Sequence, residues 1–266
     1  MTTEKQRVLI TGGGTFLGIN IATALLAEGA EITLLVHPDR EHNLGPLAQR
    51  TRWQTADVWD SASLRGRARG HNVVINTVGS MVADPARGLT YHRLNFVSAR
   101  NVAAMCVSDG VPHMILMSSV NTFWLNNQYI RAKREAENYL ERVGIHGTII
   151  RAPLAYVRGQ KRPIFYSLTT LLGSLPPLSL TRLGRIAPMP ADILARGVAR
   201  IALETERTKR IYYARDLRRR NKKEELSRPL SVVIQATENT TPQQRTQHHF
   251  EVFDEESPFG WIPPKD

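Results

Sequence analysis

The sequence predicts an α/β fold built on a doubly wound, parallel sheet. Two observations carry that prediction: short β-branched runs alternate with longer helical patterns, and a glycine cluster follows directly on the first run. The predicted strands are Val8–Thr11, Glu31–Val36, Arg52–Thr55, Val73–Asn76, His113–Ser118 and Gly147–Arg151. Helical patterns lie between them at Leu17–Glu28, Ser61–Arg69, Tyr91–Asp109 and Tyr129–Val143. Crossovers of this kind are right-handed and cover both faces of a parallel sheet. After Pro153 the pattern loosens, then resumes with a helix at Ala191–Glu204 and a strand at Arg210–Tyr213. The expected organisation is a nucleotide-type domain over 1–153, a small covering lobe over 154–215 and a charged, polar C-terminal extension over 216–266, much of it poorly ordered alone.

With 266 residues, 42% of them hydrophobic, the chain can bury one large α/β core. The single cysteine, Cys106, excludes a disulfide framework and a cysteine-rich metal site, and no metal is expected; its apolar neighbours make it a small buried hydrophobe. Met1–Arg7 is polar, and the apolar run behind it is too short for a signal peptide. The longest apolar stretch, Ile164–Leu175, ends at Pro176 and Pro177, short of the roughly 20 residues that span a bilayer. A cytoplasmic protein is expected, with at most peripheral membrane contact.

The net charge of +11 is uneven: residues 207–228 hold ten Lys and Arg against three acidic residues, while 229–266 are net negative. A basic body favours anionic partners, including a phosphorylated cofactor, RNA, anionic lipid or a larger assembly. RNA is the weakest of these, because no aromatic-interleaved motif accompanies the charge.

The run from Val8 to Gly18 ends a buried strand at Thr11, turns through Gly12, Gly13 and Gly14, and opens a helix near Leu17. A helix N-terminus at such a turn offers free amides and a positive dipole end to a pyrophosphate. Gly12 suits the tight turn and Gly18 the close approach of helix to strand, the features of a Rossmann dinucleotide site. Dinucleotide specificity is read at the end of the second strand. There Leu34 to Arg40 presents no carboxylate at the strand end, and His37 and Arg40 stand ready for a 2′-phosphate. This favours NADP(H) over NAD(H), unless Asp39 serves as the ribose ligand.

With Thr11, Gly12, Thr15 and Gly18 in the places of its T-G-x-x-G-x-x-G signature, the chain resembles the short-chain dehydrogenase/reductase superfamily in its extended and atypical branches. Thr15 replaces the middle glycine, and its hydroxyl is able to donate to phosphate. The resemblance implies that Gly14, Phe16 and Leu17 complete the phosphate loop, that Asp57 and Val58 meet adenine, and that Asn76, Thr77, Val78 and Gly79 form the turn under the ribose. It also places Asn95 near the reacting centre. Tyr129 and Lys133 form Y-x-x-x-K, four residues apart on one helix face. A nearby ammonium favours the phenolate, so Tyr129 is expected to titrate below its ordinary value near 10 and to exchange a proton with a substrate oxygen. Lys133 would also hold the nicotinamide ribose, and Ser118 or Ser119 would bond the reacting oxygen. The rest of that helix, Arg134, Glu135, Glu137, Glu141 and Arg142, reads as a solvated charged face.

Only nine residues separate Ser119 from Tyr129. That spacing, with Thr148–Pro153 and Met189–Ala195, is similar to the atypical group that includes the nucleotide-binding accessory subunit of respiratory complex I and bacterial epimerase/dehydratase-like proteins. One function this points to is an NADP(H)-dependent oxidoreductase acting on a small or isoprenoid-like substrate covered by residues 154–188. The apolar content there, at Leu154, Ile164, Phe165, Leu168, Leu171, Leu172 and Leu175, favours an apolar over a sugar substrate. The alternative the resemblance implies is a catalytically silent, NADP(H)-holding subunit docked into a membrane-associated complex through 207–266.

Overall fold

The computed structural model describes residues 6–158, 186–206 and 209–226. Among these, a seven-stranded sheet runs in the order β3-β2-β1-β4-β5-β6-β7, with every neighbouring pair parallel. Its strands are β1 (Arg7–Thr11), β2 (Glu31–Val36), β3 (Arg52–Thr55), β4 (Val73–Asn76), β5 (His113–Ser119), β6 (His146–Ala152) and β7 (Ile211–Tyr213). Each predicted strand is present to within a residue or so at its ends.

Helices cover both faces. On one side α1 (Phe16–Ala27) and α4 (Ala191–Leu203) enclose a core that includes Val8, Ile10, Leu34 and Ile115. On the other, α2 (Ser98–Ser108) and α3 (Asn127–Arg142) cover Leu9, Leu35, Val74 and Leu116. The alternation of Val8, Leu9 and Ile10 between the two cores is the period-two signature of a strand buried on both faces. Cys106 lies in the second core, where burial pushes its thiol up to about 12 and leaves it inert at neutral pH.

The chain doubles back between β1 and β4. The first three strands wind one way from β1, and β4 to β7 the other, so the carboxyl ends of β1 and β4 flank a crevice at the topological switch point.

Three expectations change. Ser61–Arg69 is not a helix but a succession of turns, closed by bonds such as Arg65 N to Ala62 O and Arg67 N to Leu64 O. Gly66 and Gly70 take φ of 73° and 74°, a left-handed conformation that ends any helix there. The predicted Tyr91–Asp109 helix is π-wound over His92–Val97 before α2 begins. Residues 191–213, expected in a separate lobe, complete the main layers: α4 packs on α1, and β7 extends the sheet beside β6.

The extension expected from 216 onward begins with an ordered helix, α5 (Ala214–Arg219), whose N-terminus is closed by a capping box between Tyr213 and Asp216. The apolar stretch Ile164–Leu175 and the tail 227–266 lie outside the described residues. Among the described residues no helix is long and apolar enough to cross a membrane.

Candidate active site

The glycine loop is shaped by contacts that exclude side chains. Gly12 takes φ 76°, and a Cβ there would stand 2.7 Å from the Thr77 hydroxyl. A Cβ on Gly18 would lie 2.1 Å from the Gly12 carbonyl oxygen, and one on Gly14 would lie 2.5 Å from the Arg40 carbonyl oxygen. Gly18 thus lets α1 start against the turn, and Gly14 lets the segment after β2 close over the loop. Phe16 and Leu17, in the first turn of α1, have amides without intrahelical acceptors at the positive end of the helix dipole.

Thr15 is the N-cap of α1, with φ −90° and ψ 157°. Its hydroxyl accepts from Gly18 N at 3.1 Å and donates to Gly12 O at 2.7 Å. The expected donation to phosphate is corrected accordingly: the side chain turns into the loop and locks it. This also explains why a threonine replaces glycine here without blocking the mouth. The cap contributes about 1 kcal/mol to the helix start.

The rim opposite is tied to the loop across the crevice. Thr11 Oγ1 donates to Asn76 Oδ1 at 2.8 Å, Thr77 Oγ1 donates to Thr11 O at 2.6 Å, and Val78 N donates to Asn76 Oδ1 at 3.1 Å. A small hollow beside the loop is lined by Gly12, Leu35, His37, Ala56, Val58, Trp59 and Val78. Asp57 is fixed at its edge, its carboxylate accepting from Trp59 N at 2.8 Å. His37 caps the turn after β2, its Nδ1 accepting from Asp39 N at 3.3 Å. His37 and Arg40 therefore stand next to the glycine loop.

On the other side of the crevice, α3 brings Tyr129 and Lys133 to the ends of β4 and β5. Its start is fixed by Asn126, whose side chain accepts from Gln128 N at 2.8 Å. A Cβ on Gly79 would lie 2.5 Å from Lys133 Nζ and 2.6 Å from Asn95 Oδ1, so both polar groups close on that turn. Asn95 is aimed by the π-helical turn: it donates to Ser80 O at 2.8 Å and Tyr91 O at 3.1 Å, and accepts from Ser80 N at 3.1 Å. Lys133 Nζ donates to Met117 O at 3.3 Å and sits 5.8 Å from the Tyr129 ring centre. Burial lowers Lys133 to about 8, with Glu137 acting the opposite way.

The two serines part company. Ser119 donates its hydroxyl to the Val120 carbonyl oxygen at 3.1 Å. Ser118 is corrected: its hydroxyl donates to Glu137 Oε1 at 2.5 Å, away from the tyrosine. Ser118 shares its side of β5 with Leu116, the side that α3 covers, and Ser119 projects to the other side at the strand end.

Tyr129 differs from expectation in a second respect. Its phenol is raised above the ordinary value, burial being the dominant cause, while Ser119 and then Arg134 pull the other way. Its hydroxyl is buried and makes no hydrogen bond among the described residues. Tyr129 is consequently held as a protonated acid rather than as a phenolate.

Glu137, expected on a solvated face, is only 4% exposed. It accepts from Ser118, from Arg151 Nη2 at 2.6 Å and from Arg134, and Arg151 reaches on to Tyr213 Oη at 3.0 Å. Glu137 follows Lys133 at the same four-residue step that links Lys133 to Tyr129, a sequence signal that the reading of a solvated face passed over.

The buried Lys133 ammonium carries an expected penalty. Replacing it with methionine, similar in volume, is expected to raise stability by about 1–2 kcal/mol at pH 7, because Glu137 keeps its arginine partners. The folded state disfavours the charged form, so the gain is full below about 8 and fades as pH rises toward the ordinary lysine value of 10.5. Urea unfolding at pH 7 and pH 10 measures it.

A nicotinamide dinucleotide fits these residues: the glycine cradle admits no Cβ, the first-turn amides are open to an anion, and a buried phenol lacks a partner beside a lysine. Fold and site together define a dinucleotide-binding Rossmann protein of the short-chain dehydrogenase/reductase type. The chain belongs to the NAD(P)H-binding family, whose model matches residues 12–164.

Among curated proteins it is similar to short-chain dehydrogenase/reductase family 42E member 1 of Danio rerio, 28% identical, with 52% of this chain and 35% of that protein covered. It is also similar to the ceramide reductase of Caulobacter vibrioides, 26% identical, with 68% and 57% covered. The chain thus spans about a third to somewhat over half the length of these relatives. Among solved structures, the Bordetella bronchiseptica enzyme WbmG in complex with NAD matches with a TM-score of 0.59 and 18% identity, covering 79% of this chain and 73% of that one. At that identity the likeness is one of fold.

Proposed function

We propose that this chain is an NADP(H)-dependent oxidoreductase that interconverts a carbonyl and a hydroxyl on a small apolar substrate. The observation that carries this reading is the convergence of Lys133, Asn95 and the protonated Tyr129 at the ends of β4 and β5, across the crevice from the glycine loop.

In this reading the amides of Gly14, Phe16 and Leu17 would hold the pyrophosphate. Val58 and Asp57 would hold the adenine, and Asn76–Gly79 with Lys133 would hold the riboses. His37 and Arg40 would hold the 2′-phosphate. The bound reduced coenzyme supplies the hydride. Ser119 turns its hydroxyl from the Val120 carbonyl to donate to the substrate oxygen and orient it. Tyr129, kept protonated by burial, donates its proton to that oxygen as the carbonyl becomes an alcohol. Lys133 holds the ribose and keeps positive charge beside the phenol as it loses its proton.

The apolar substrate class is supported by the ceramide reductase relative and by the apolar content of 154–188. The silent-subunit alternative is favoured by none of these observations.

Replacing Arg40 with alanine separates the coenzymes. The expected outcome is NADPH affinity about ten- to hundredfold weaker, the worth of one charge-assisted contact, with NADH affinity unchanged. Equilibrium titration of both coenzymes, followed by turnover assays on long-chain ketones and sugar nucleotides, tests the proposal. Preference for NADH, or turnover confined to sugar nucleotides, contradicts it.

A further inference from the structure

A second cleft, of about 490 Å³, opens at the opposite end of the sheet from the glycine loop. Its floor is the amino-terminal end of β1, β2 and β3, where the register sets Arg7 beside Glu31 and Thr33 beside Arg52. Paired residues of neighbouring strands point to the same side, so Arg7, Thr33 and Arg52 share one face. One β1 length, about 13 Å, separates this end from the dinucleotide crevice.

The cleft exists because the connection from β3 to β4 is not a helix. Its turns bury Leu64 and Ala68 but leave the lower part of the face open, and they contribute Arg67, Arg69 and His71 to the wall. Arg50, just before β3, completes it. Among the described residues, five guanidinium groups therefore line one hollow whose only carboxylate is Glu31.

These charges converge. A Cβ on Gly70 would lie 3.3 Å from Arg7 Nη1, so the Arg7 side chain lies over that glycine. His71 is bonded to the Ala68 carbonyl at 3.1 Å and the Thr33 hydroxyl at 2.9 Å. Burial lowers its pKa, and the charges of Arg7 and Arg52 press it down further. Arg67 donates to Gln54 Oε1 at 2.8 Å, and Arg69 stands 3.8 Å from Asp109. Arg7, Arg50 and Arg52 form no ion pair among the described residues. Like charges gathered with fewer counter-charges among the described residues repel one another in the folded state, and a bound anion relieves that repulsion.

We propose that this cleft is a second ligand site, for a small soluble anion carrying two or more phosphoryl groups. Guanidinium forks match phosphate oxygens two at a time, and several around one hollow suit clustered phosphates better than a single carboxylate. The volume is that of a small-molecule site. Among the described residues the lining holds no aromatic ring but His71 on which a base would stack, and Trp53, alternating with Arg52 and Gln54 along β3, points to the other face. A nucleic acid is the less favoured occupant for that reason. A lipid headgroup is less favoured too, because Ala30 and Ile32 are the only apolar side chains among the described residues of the lining.

Calorimetric titration of the full chain with inorganic tripolyphosphate tests the assignment. The expected result is saturable one-site binding, weakened at least tenfold by Arg52→Glu and by Arg50→Glu, with coenzyme affinity unchanged in both variants. Arg50 lies outside the strands, so its variant keeps the test decisive should Arg52→Glu unfold. Arg40→Ala, at the glycine loop, is expected to leave tripolyphosphate affinity unaltered. Absence of saturable binding, insensitivity to both charge reversals, loss of binding in Arg40→Ala, or tighter binding of a single-stranded oligonucleotide or of phosphatidylserine vesicles at equal phosphate concentration overturns it.

Discussion

Replacing Tyr129 with phenylalanine is expected to cut turnover about a thousandfold while dinucleotide affinity moves by less than about threefold. The phenol oxygen is the only part removed, and no part of the glycine loop touches it. The same change is expected to raise stability by up to about 1 kcal/mol, because the hydroxyl is buried without a partner and its removal ends an unmet desolvation cost. A loss of activity joined to a gain of stability distinguishes a proton donor from a packing residue, whose truncation would lower both. Steady-state kinetics and urea unfolding on the same preparation give the two readouts. The pH profile of kcat/KM is expected to fall as pH rises through about 8, where Lys133 sheds its proton and with it the charge that steadies the ribose and the phenol. The raised phenol adds no loss at neutral pH, since it is still protonated there.

Glu137→Ala is expected to destabilise the fold by about 2–4 kcal/mol. Removing one partner of a buried ion pair costs about 3–5 kcal/mol, and the figure is reduced here because Arg134 and Arg151 are about a quarter exposed and regain some water. The deletion leaves two guanidinium groups and the Ser118 hydroxyl facing a void between α3 and the end of β5. Glu137→Gln keeps the shape and one acceptor and is expected to fall between the wild type and the alanine variant. Chemical unfolding midpoints rank the three. Equal stability of Glu137→Ala and the wild type would mean that the carboxylate does not bind α3 to the sheet.

The parallel sheet was legible because fully buried strands leave β-branched runs, and Val8–Thr11 with its glycines announced both a strand end and an anion site. The Y-x-x-x-K pair was legible because a helix fixes the geometry of residues four apart. What the sequence hid depends on tertiary context. Ser61–Arg69 carries a helical pattern, but Gly66 at positive φ converts it to turns, and the basic cleft is a consequence. Ser118 and Ser119 are chemically identical neighbours, distinguished only by which way the strand turns each of them. Thr15 was read as a phosphate donor, yet its hydroxyl is spent on the helix cap. The direction of the Tyr129 shift is set by depth of burial, which no local pattern encodes, and the π-helical turn around Asn95 has no signature in residue spacing.

Titration of the full chain with NADPH is the most direct test of the dinucleotide cradle on which the rest depends. Saturable one-site binding is predicted, lost in Gly18→Val because the added side chain meets the Gly12 carbonyl oxygen that the loop must present to α1. A wild-type protein that takes up neither NADPH nor NADH, or a Gly18→Val variant that binds as the wild type does, would contradict the account.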